Sequence, residues 1–451
     1  MTEPTKKARV IYLVCKETLS PVLESQILRP AACLPPCMEA EILAITPIGQ
    51  LLRSPLRQRV RKVVETSRKH GLNVRIVLGS PTRARHTSPV LEKWSLFRAL
   101  RAALAGPSPV VIHARGSEAT IRALSFNEKT RSSVPVVFDC RGDEAAEAVA
   151  SAGGDPRHPE IWSDALRHLH AEAKEHEAKA CTANAIICVS KVLASRLIER
   201  HGVSRSKIVV VPCCVDSKRF LDGSREEARR RFGLTDRFVV VYLGSLEWYQ
   251  LPNECLRIFK LIKSVRKEAH FLAITTHPDR MKAVINATGV GSGDHTITSL
   301  AAHEVPLALK AGDLGLLLRA PHPVNEVASP VKFAEYLAAG LPVVLTPGIG
   351  DYSELLVQRN LGACLSPGLT DDELISCLDP LLHESTELAE VRRRACAEFA
   401  TTELSWQSAM NRLATADSYA GLEIANEAHH WSRLHTDPSR ALLREPFEIE
   451  E

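Results

Sequence analysis

Five short stretches of this 451-residue chain carry residue types that could handle a charged, oxygen-rich ligand. In SPVKFAEYLAAGLPVV, from Ser329 to Val344, Lys332 and Glu335 stand one helical turn apart and are expected in the first turn of a helix closed by Gly340 and Pro342. The lysine can neutralise an anion, the glutamate can grip a pair of sugar hydroxyls, and N–H groups at the loop and helix start can hold phosphate oxygens. The bland alternatives are a solvated lysine and a carboxylate that merely favours the helix dipole. YLGSLEWYQLPNE places Gly244 and Ser245 just past a strand end, where small residues let a phosphate approach the backbone. Trp248 and Tyr249 follow; they could stack on a sugar face, or one could be buried packing. TPGIGDYSE puts Gly348 and Gly350 ahead of another helix, with Asp351, Ser353 and Glu354 as possible caps.

The first half of the chain contributes two similar pieces, HARGSE (113–118) and FDCRGDE (138–144), each at the end of an apolar run. A charged residue at the end of a buried strand is costly unless it faces a solvated site. His113, Arg115, Asp139 and Arg141 are therefore candidates for one shared site. A local structural salt bridge between Asp139 and Arg141 is the competing reading. Arg319, directly after the apolar run ending at Leu318, is a further candidate cation.

These positions need strand ends to carry them, and the hydrophobic pattern supplies strands. Apolar runs at 9–15, 42–45, 74–78, 110–114, 134–139 and 184–190 alternate with helical patterns near 55–70, 91–105 and 118–129, and the histidine-rich segment 151–182 reads as helix. This rhythm implies a doubly wound α/β domain. It restarts after KIVVVPCCVD, with runs at 238–244, 271–275, 314–318 and 342–346 and helices near 252–267, 351–358, 370–383 and 385–402. A last helix is expected over 406–423. Ser20 reads as a helix cap before Pro21. The Gly-x-Gly-x-x-Gly fingerprint of dinucleotide-binding folds is absent.

At 45% hydrophobic and 24% charged residues the composition is that of a globular protein. Net charge is +4, unevenly spread: residues 42–138 hold 17 Lys and Arg against Glu65, Glu92, Glu118 and Glu128. The helix near 53–69, with Leu51, Leu52, Leu56, Val60, Val63 and Val64, is amphipathic enough for an anionic lipid surface, although a solvated face is the default. A nucleic-acid role lacks interleaved aromatics or a known module. The apolar run VIYLVC is short and followed by Lys16 and Glu17, so no secretion signal is expected, and no run is long enough to span a bilayer. The 12 cysteines are scattered; Cys33 with Cys37 and Cys213 with Cys214 lack zinc-finger spacing. A reduced, cytoplasmic protein without a structural metal is expected.

The stretch around Glu335 resembles the donor-site signature of the family 4 glycosyltransferases, in which a glutamate opens EAxAxGxPVV. Glu335, Tyr336, Ala338, Gly340, Pro342, Val343 and Val344 fall on that pattern. The first glutamate of the family's E-x7-E pair should stand at 327; this chain has Val327, with Glu326 one place away. Ser329, Pro330, Lys332 and Glu335 match instead the Ser-Pro-x-Lys form of a polysaccharide and lipopolysaccharide subfamily, as does YLGSLxxWY. The "HARG" and "FDxRG" stretches and the linker IVVVPCCVDSKRF are similar to that subfamily too. The Ser-Pro-x-x-x-x-Gln spacing from Ser20 to Gln26 resembles a loop of these transferases, which makes Ser20 and Gln26 weak site candidates beside the helix-cap reading of Ser20. The Arg and Lys that most relatives carry in the Gly244 loop are missing.

The resemblance implies a GT-B fold: two Rossmann-like, doubly wound α/β domains facing a cleft, here 1–210 on the acceptor side and 211–405 on the donor side. A terminal helix and tail over 406–451 would cross back. It implies a retaining, metal-independent glycosyltransferase that moves a sugar from a UDP- or GDP-linked donor to a glycan or lipid-linked acceptor. The setting would be surface polysaccharide or lipopolysaccharide synthesis, with the protein peripheral at the inner membrane face. Gly244, Ser245, Arg319, Ser329, Lys332, Glu335, Gly348 and Gly350 are the donor-binding candidates, with Glu335 on the ribose. Lys332, Arg115, Asp139 and Arg141 are the catalytic ones. An inactive GT-B-like scaffold and a nucleotide-sugar epimerase are the alternatives.

Overall fold

The computed structural model describes residues 7–15, 21–47, 54–79 and 89–415. Ser20, Leu51 and Leu52 lie outside these. The chain divides into two compact units, Met1–Pro212 with Trp406–Glu451, and Cys213–Ser405.

In the first unit the described strands form a seven-stranded parallel sheet: β1 (Ala8–Val14), β2 (Met38–Pro47), β3 (Asn73–Gly79), β4 (Val110–Arg115), β5 (Val136–Cys140), β6 (Ala185–Cys188) and β7 (Ile208–Val210), ordered β3-β2-β1-β4-β5-β6-β7. Helices connect the strands, so both sheet faces are covered. That is why β1, β5 and β6 read as continuous apolar runs rather than alternating ones. Strand order reverses between β1 and β4, and register there pairs Tyr12 with His113 and, one strand over, Arg115 with Asp139. The site candidates of this half thus share one edge, the carboxyl ends of β4 and β5.

The second unit repeats the plan with β8 (Phe238–Leu243), β9 (Ala269–Ile274), β10 (His295–Thr298), β11 (Leu314–Leu317), β12 (Val343–Leu345) and β13 (Gly362–Cys364), ordered β10-β9-β8-β11-β12-β13. Alternate residues feed two cores. Val239, Val241, Leu317, Val343 and Leu345 pack with Phe333 and Leu337 on one face. Val240, Tyr242, Leu314, Leu316 and Val344 pack with Phe259 and Leu378 on the other. Each such leucine or phenylalanine contributes about 1.5–3 kcal/mol. The reversal of strand order falls between β8 and β11, and the loops carrying Gly244, Arg319 and Gly348 leave β8, β11 and β12.

Three expectations need correction. Residues 151–182 are not one helix: Glu144–Ser151 stops where Gly153 turns at φ +84°, a turn reaches Pro159, and a new helix runs from Asp164 to Ala180 with Ser163 as its cap. The helix Pro278–Thr288 and the strand β10 have no counterpart in the apolar pattern, because HTIT is a half-buried edge strand with little apolar content. Glu335 is not in the first turn either. The helix spans Val331–Ala338, with Lys332 near its start and Glu335 a turn further on.

Candidate functional site

In the second unit one tyrosine fixes the geometry. Tyr336, fully buried, stands over Gly315, where an added Cβ would meet its ring at 2.7 Å. Its hydroxyl accepts from the Leu243 N–H (2.8 Å) and reaches the Leu316 carbonyl (3.1 Å), tying the helix Val331–Ala338 to the ends of β8 and β11. Lys332 lies four residues earlier on the same helical face. Its ammonium therefore comes to rest over Gly244, so close that a Cβ there would sit 1.9 Å from Nζ; Gly244, at φ +149°, leaves that space open.

The ammonium donates to Oε1 of Gln250, and the Gln250 amide N–H2 donates to Ser245 Oγ at 2.5 Å. A neutral amide thus holds the lysine. Desolvation pushes the Lys332 pKa down to about 7, the positive field of Arg319 adds to that shift, and Glu335 opposes it. Arg319 is itself buried, and burial pushes its pKa down too. Its guanidinium lies 5.1 Å from the centre of the Tyr249 ring, a cation–π contact. Its Nη1 has no hydrogen-bond partner among the described residues. Thr346 fixes its backbone, accepting from the Arg319 N–H and donating to its carbonyl, both at 2.8 Å. A half-buried and a buried cation at one strand edge, the latter incompletely bonded, make a site that favours an anion with several oxygens.

Around them the other donor-side candidates fall into place differently. Gly348 and Gly350 have φ of +74° and +48°, and the Gly350 N–H joins the Asn325 carbonyl, linking the loops after β11 and β12. A Cβ on Gly348 would meet open space. Glu335 is half-buried. The Ser329 hydroxyl is committed inside the protein: it accepts from the Cys213 N–H (2.8 Å) and pairs with the Tyr352 hydroxyl (2.7 Å). Ser329 is thus a buried brace for the helix start. Val327 is fully buried, so the missing first glutamate is replaced by core, while Glu326 is half-buried. Trp248 is 57% exposed and packs edge-on against Tyr249 and His322, so it is not core.

In the first unit, Asp139 sits among Arg115 (3.4 Å), Arg141 (3.4 Å) and His113 (3.5 Å). Burial alone would raise its pKa, but Arg141, His113 and Arg115 hold it well below the carboxylate range. His113 stacks on Tyr12, ring centres 4.5 Å apart. Arg141 also donates to Gln26 Oε1 at 3.1 Å. The two Arg-Gly pieces are bolted together, since Glu144 accepts from both the N–H (2.7 Å) and the hydroxyl (2.5 Å) of Ser117. Asp143 has a structural task. It caps its helix through the Ala146 N–H and binds Arg196 and Arg200, which together hold its pKa near about 2 against burial. The Asp139–Arg141 salt bridge is real and local, yet it belongs to this wider cluster.

Sequence reasoning missed Gln250 and Thr346 and undervalued Tyr249. Gln250 carries no charge and matches no pattern; its place five residues after Ser245 in a strand-end loop was the one available signal. Among the described residues no cluster of three or more His, Cys, Asp or Glu side chains could hold a metal ion, and no helix is long and apolar enough to cross a membrane.

Comparison with known proteins agrees with this architecture. Residues 56–219 match the model of Glycosyltransferase Family 4, and residues 224–399 match that of Glycosyl transferases group 1. The D-inositol 3-phosphate glycosyltransferase of Mycolicibacterium smegmatis is 30% identical over 139 residues, 31% of this chain and 30% of that protein. The chain thus spans well under two thirds of that curated relative. Among solved structures, HepE of Anabaena in complex with UDP superposes with a TM-score of 0.63 at 14% identity, covering 92% of this chain and 100% of HepE. WaaG, a glycosyltransferase involved in lipopolysaccharide biosynthesis, gives 0.59 at 14%, covering 91% and 98%. At such identities the structures speak for the fold. With a Glycosyltransferase Family 4 domain followed by a Glycosyl transferases group 1 domain, the chain belongs to the glycosyltransferases of the GT-B fold.

Proposed function

We propose that this protein is a retaining glycosyltransferase that takes a sugar from a UDP- or GDP-linked donor, held mainly by the second domain, and passes it to an acceptor held by the first. The observation that carries this reading is the pair of cations, half-buried Lys332 over Gly244 and buried Arg319, with Arg319 Nη1 unpartnered among the described residues. Departure of a nucleoside diphosphate develops negative charge on the phosphate oxygens, and fixed cations in a desolvated site stabilise it without reorganising. Lys332 and Arg319 take that role here, in place of the Arg and Lys that most relatives carry in the Gly244 loop. The open backbone at Gly244, Ser245, Gly348 and Gly350 lets phosphate or nucleotide approach closely, and Glu335 accepts from the ribose hydroxyls. Ser329 supports the helix from beneath. Arg115, Asp139 and Arg141 serve the acceptor side and the leaving group. HepE was solved with UDP, which favours the uridine donor.

The acceptor is a glycan or a lipid-linked sugar, and the pathway is surface polysaccharide or lipopolysaccharide synthesis, as the work of WaaG suggests. Exposed Arg61, Lys62, Arg68 and Lys69 on the helix Ser54–Lys69 would place the protein peripherally at an anionic membrane face on the cytoplasmic side. Membrane association that high salt leaves unchanged would remove that part of the proposal.

Thermal shift against UDP, GDP, ADP and their sugars tests the donor reading. A ligand at roughly a hundred times its Kd adds about 2.7 kcal/mol of stability. A selective shift that Glu335→Ala abolishes supports the reading; a folded protein that responds to no nucleotide refutes it.

A further inference from the structure

The helix that follows β1 begins at Pro21 and then widens, over Glu24–Leu28, into a π-turn before returning to α-helix at Arg29–Ala32. Such turns are rare and cluster at functional sites. Here the widening is visible in the bond from the Arg29 N–H to the Glu24 carbonyl, five residues back. In the same register the Ser25 carbonyl would look to residue 30, which is Pro30 and has no N–H. The indole N–H of the buried Trp406 donates to that carbonyl at 3.0 Å. Trp406 opens the helix Trp406–Thr415, which packs in the first unit and also brings Met410 Sδ to 4.0 Å from the Tyr12 hydroxyl. The π-turn is therefore clamped by a helix 381 residues further along the chain.

The turn carries Gln26, 9% exposed. Its Oε1 is committed to Arg141, which fixes the orientation of the amide, and its Nε2 is buried with no partner among the described residues. A buried donor left unsatisfied costs about 1–3 kcal/mol. Gln26 closes the chain of contacts Gln26–Arg141–Asp139–Arg115, so the vacant donor borders the charged cluster at the ends of β4 and β5.

We propose that Gln26 is a ligand of the acceptor substrate, its amide N–H2 donating to a hydroxyl or phosphate oxygen of that molecule, and that Trp406 is the positioning residue that holds the π-turn aiming it. This rests on the acceptor-side reading of the first domain. The test is calorimetric titration of the full-length protein, in the presence of saturating UDP, with D-glucose, D-glucose 6-phosphate and inorganic phosphate as probes. Wild type binds at least one of them; binding of glucose identifies a hydroxyl as the partner, and binding of phosphate alone an anionic oxygen. Gln26→Met and Trp406→Phe each weaken that binding about tenfold, while their UDP affinity stays at the wild-type value. A merely structural role for Trp406 would lower the melting temperature without this selectivity. Wild type that binds UDP but none of the probes, or variants that bind the probes as wild type does, overturns the inference. Wild type that does not bind UDP defeats the sugar-transfer reading instead, and probe binding can then still be scored.

Discussion

The two units present charged clusters at the same topological place, where strand order reverses, and they balance the charge in opposite ways. In the first, the carboxylate of Asp139 lies between Arg115 and Arg141 and supplies both with a shared counter-charge. In the second, Lys332 rests on the neutral amide of Gln250, Arg319 rests on the Tyr249 ring, and the two cations oppose each other. The first cluster carries a counter-charge of its own, although Gln26 Nε2 at its border has no partner among the described residues. The second is stabilised once an anion arrives, which is the arrangement expected of a site that binds a diphosphate and must later release it.

The largest expected effect breaks the compensated side. Asp139→Asn leaves two partly buried guanidinium groups without their counter-charge and should cost about 3 kcal/mol, read as a lowered denaturation midpoint. Lys332→Met breaks the other side with the opposite sign for stability. Relief of the ammonium's desolvation and of its repulsion by Arg319 outweighs the lost attraction to Glu335, so the melting temperature should hold or rise, while UDP affinity falls about thirtyfold or more. If Lys332→Met destabilises as Asp139→Asn does, the contrast between the two clusters is wrong. Gln250→Glu makes the second cluster resemble the first by supplying a carboxylate next to the ammonium. The lysine pKa should rise and UDP affinity should fall about tenfold, because the new charge competes with the diphosphate. An affinity that increases would mean that Gln250 does not touch Lys332.

The smallest effect is in pH. The Lys332 pKa in the folded protein is depressed to about 7, so the free site loses its proton as pH rises through that value, whereas bound diphosphate favours the charged form. UDP affinity should therefore fall above about pH 7, by up to about tenfold per pH unit. The sign for stability is the reverse: between about 7 and the ordinary lysine value of about 10.4 the unfolded chain holds the extra proton, so the ligand-free protein gains stability as pH rises.

Much of this fold was legible because parallel strands covered on both faces are written as unbroken apolar runs. FVVVYL, VVFDC and AIIC could hardly be anything else between helical patterns. The edge strand HTIT was not legible, since half-burial asks for no such run. Strand-end charge was legible, as at Arg115, Asp139 and Arg319, and so was the lysine near a helix start at Lys332. The chemistry was invisible where the working group is neutral or distant. Gln250 orients the lysine through an amide, and Trp406 satisfies a carbonyl that Pro30 cannot serve; neither local spacing nor charge announces such partners. Ser329 matched a motif as a candidate ligand, yet its hydroxyl is bound to Cys213 and Tyr352, because a pattern of letters does not say which way a side chain faces.

The most direct test is titration calorimetry of UDP and GDP near pH 8 in buffers of different ionisation enthalpy, for wild type and Lys332→Met. The account predicts that the nucleotide binds wild type with uptake of close to one proton, and that the variant binds weakly with none. Tight binding without proton uptake, or equal binding by both proteins, would contradict the claim that Lys332 receives the diphosphate.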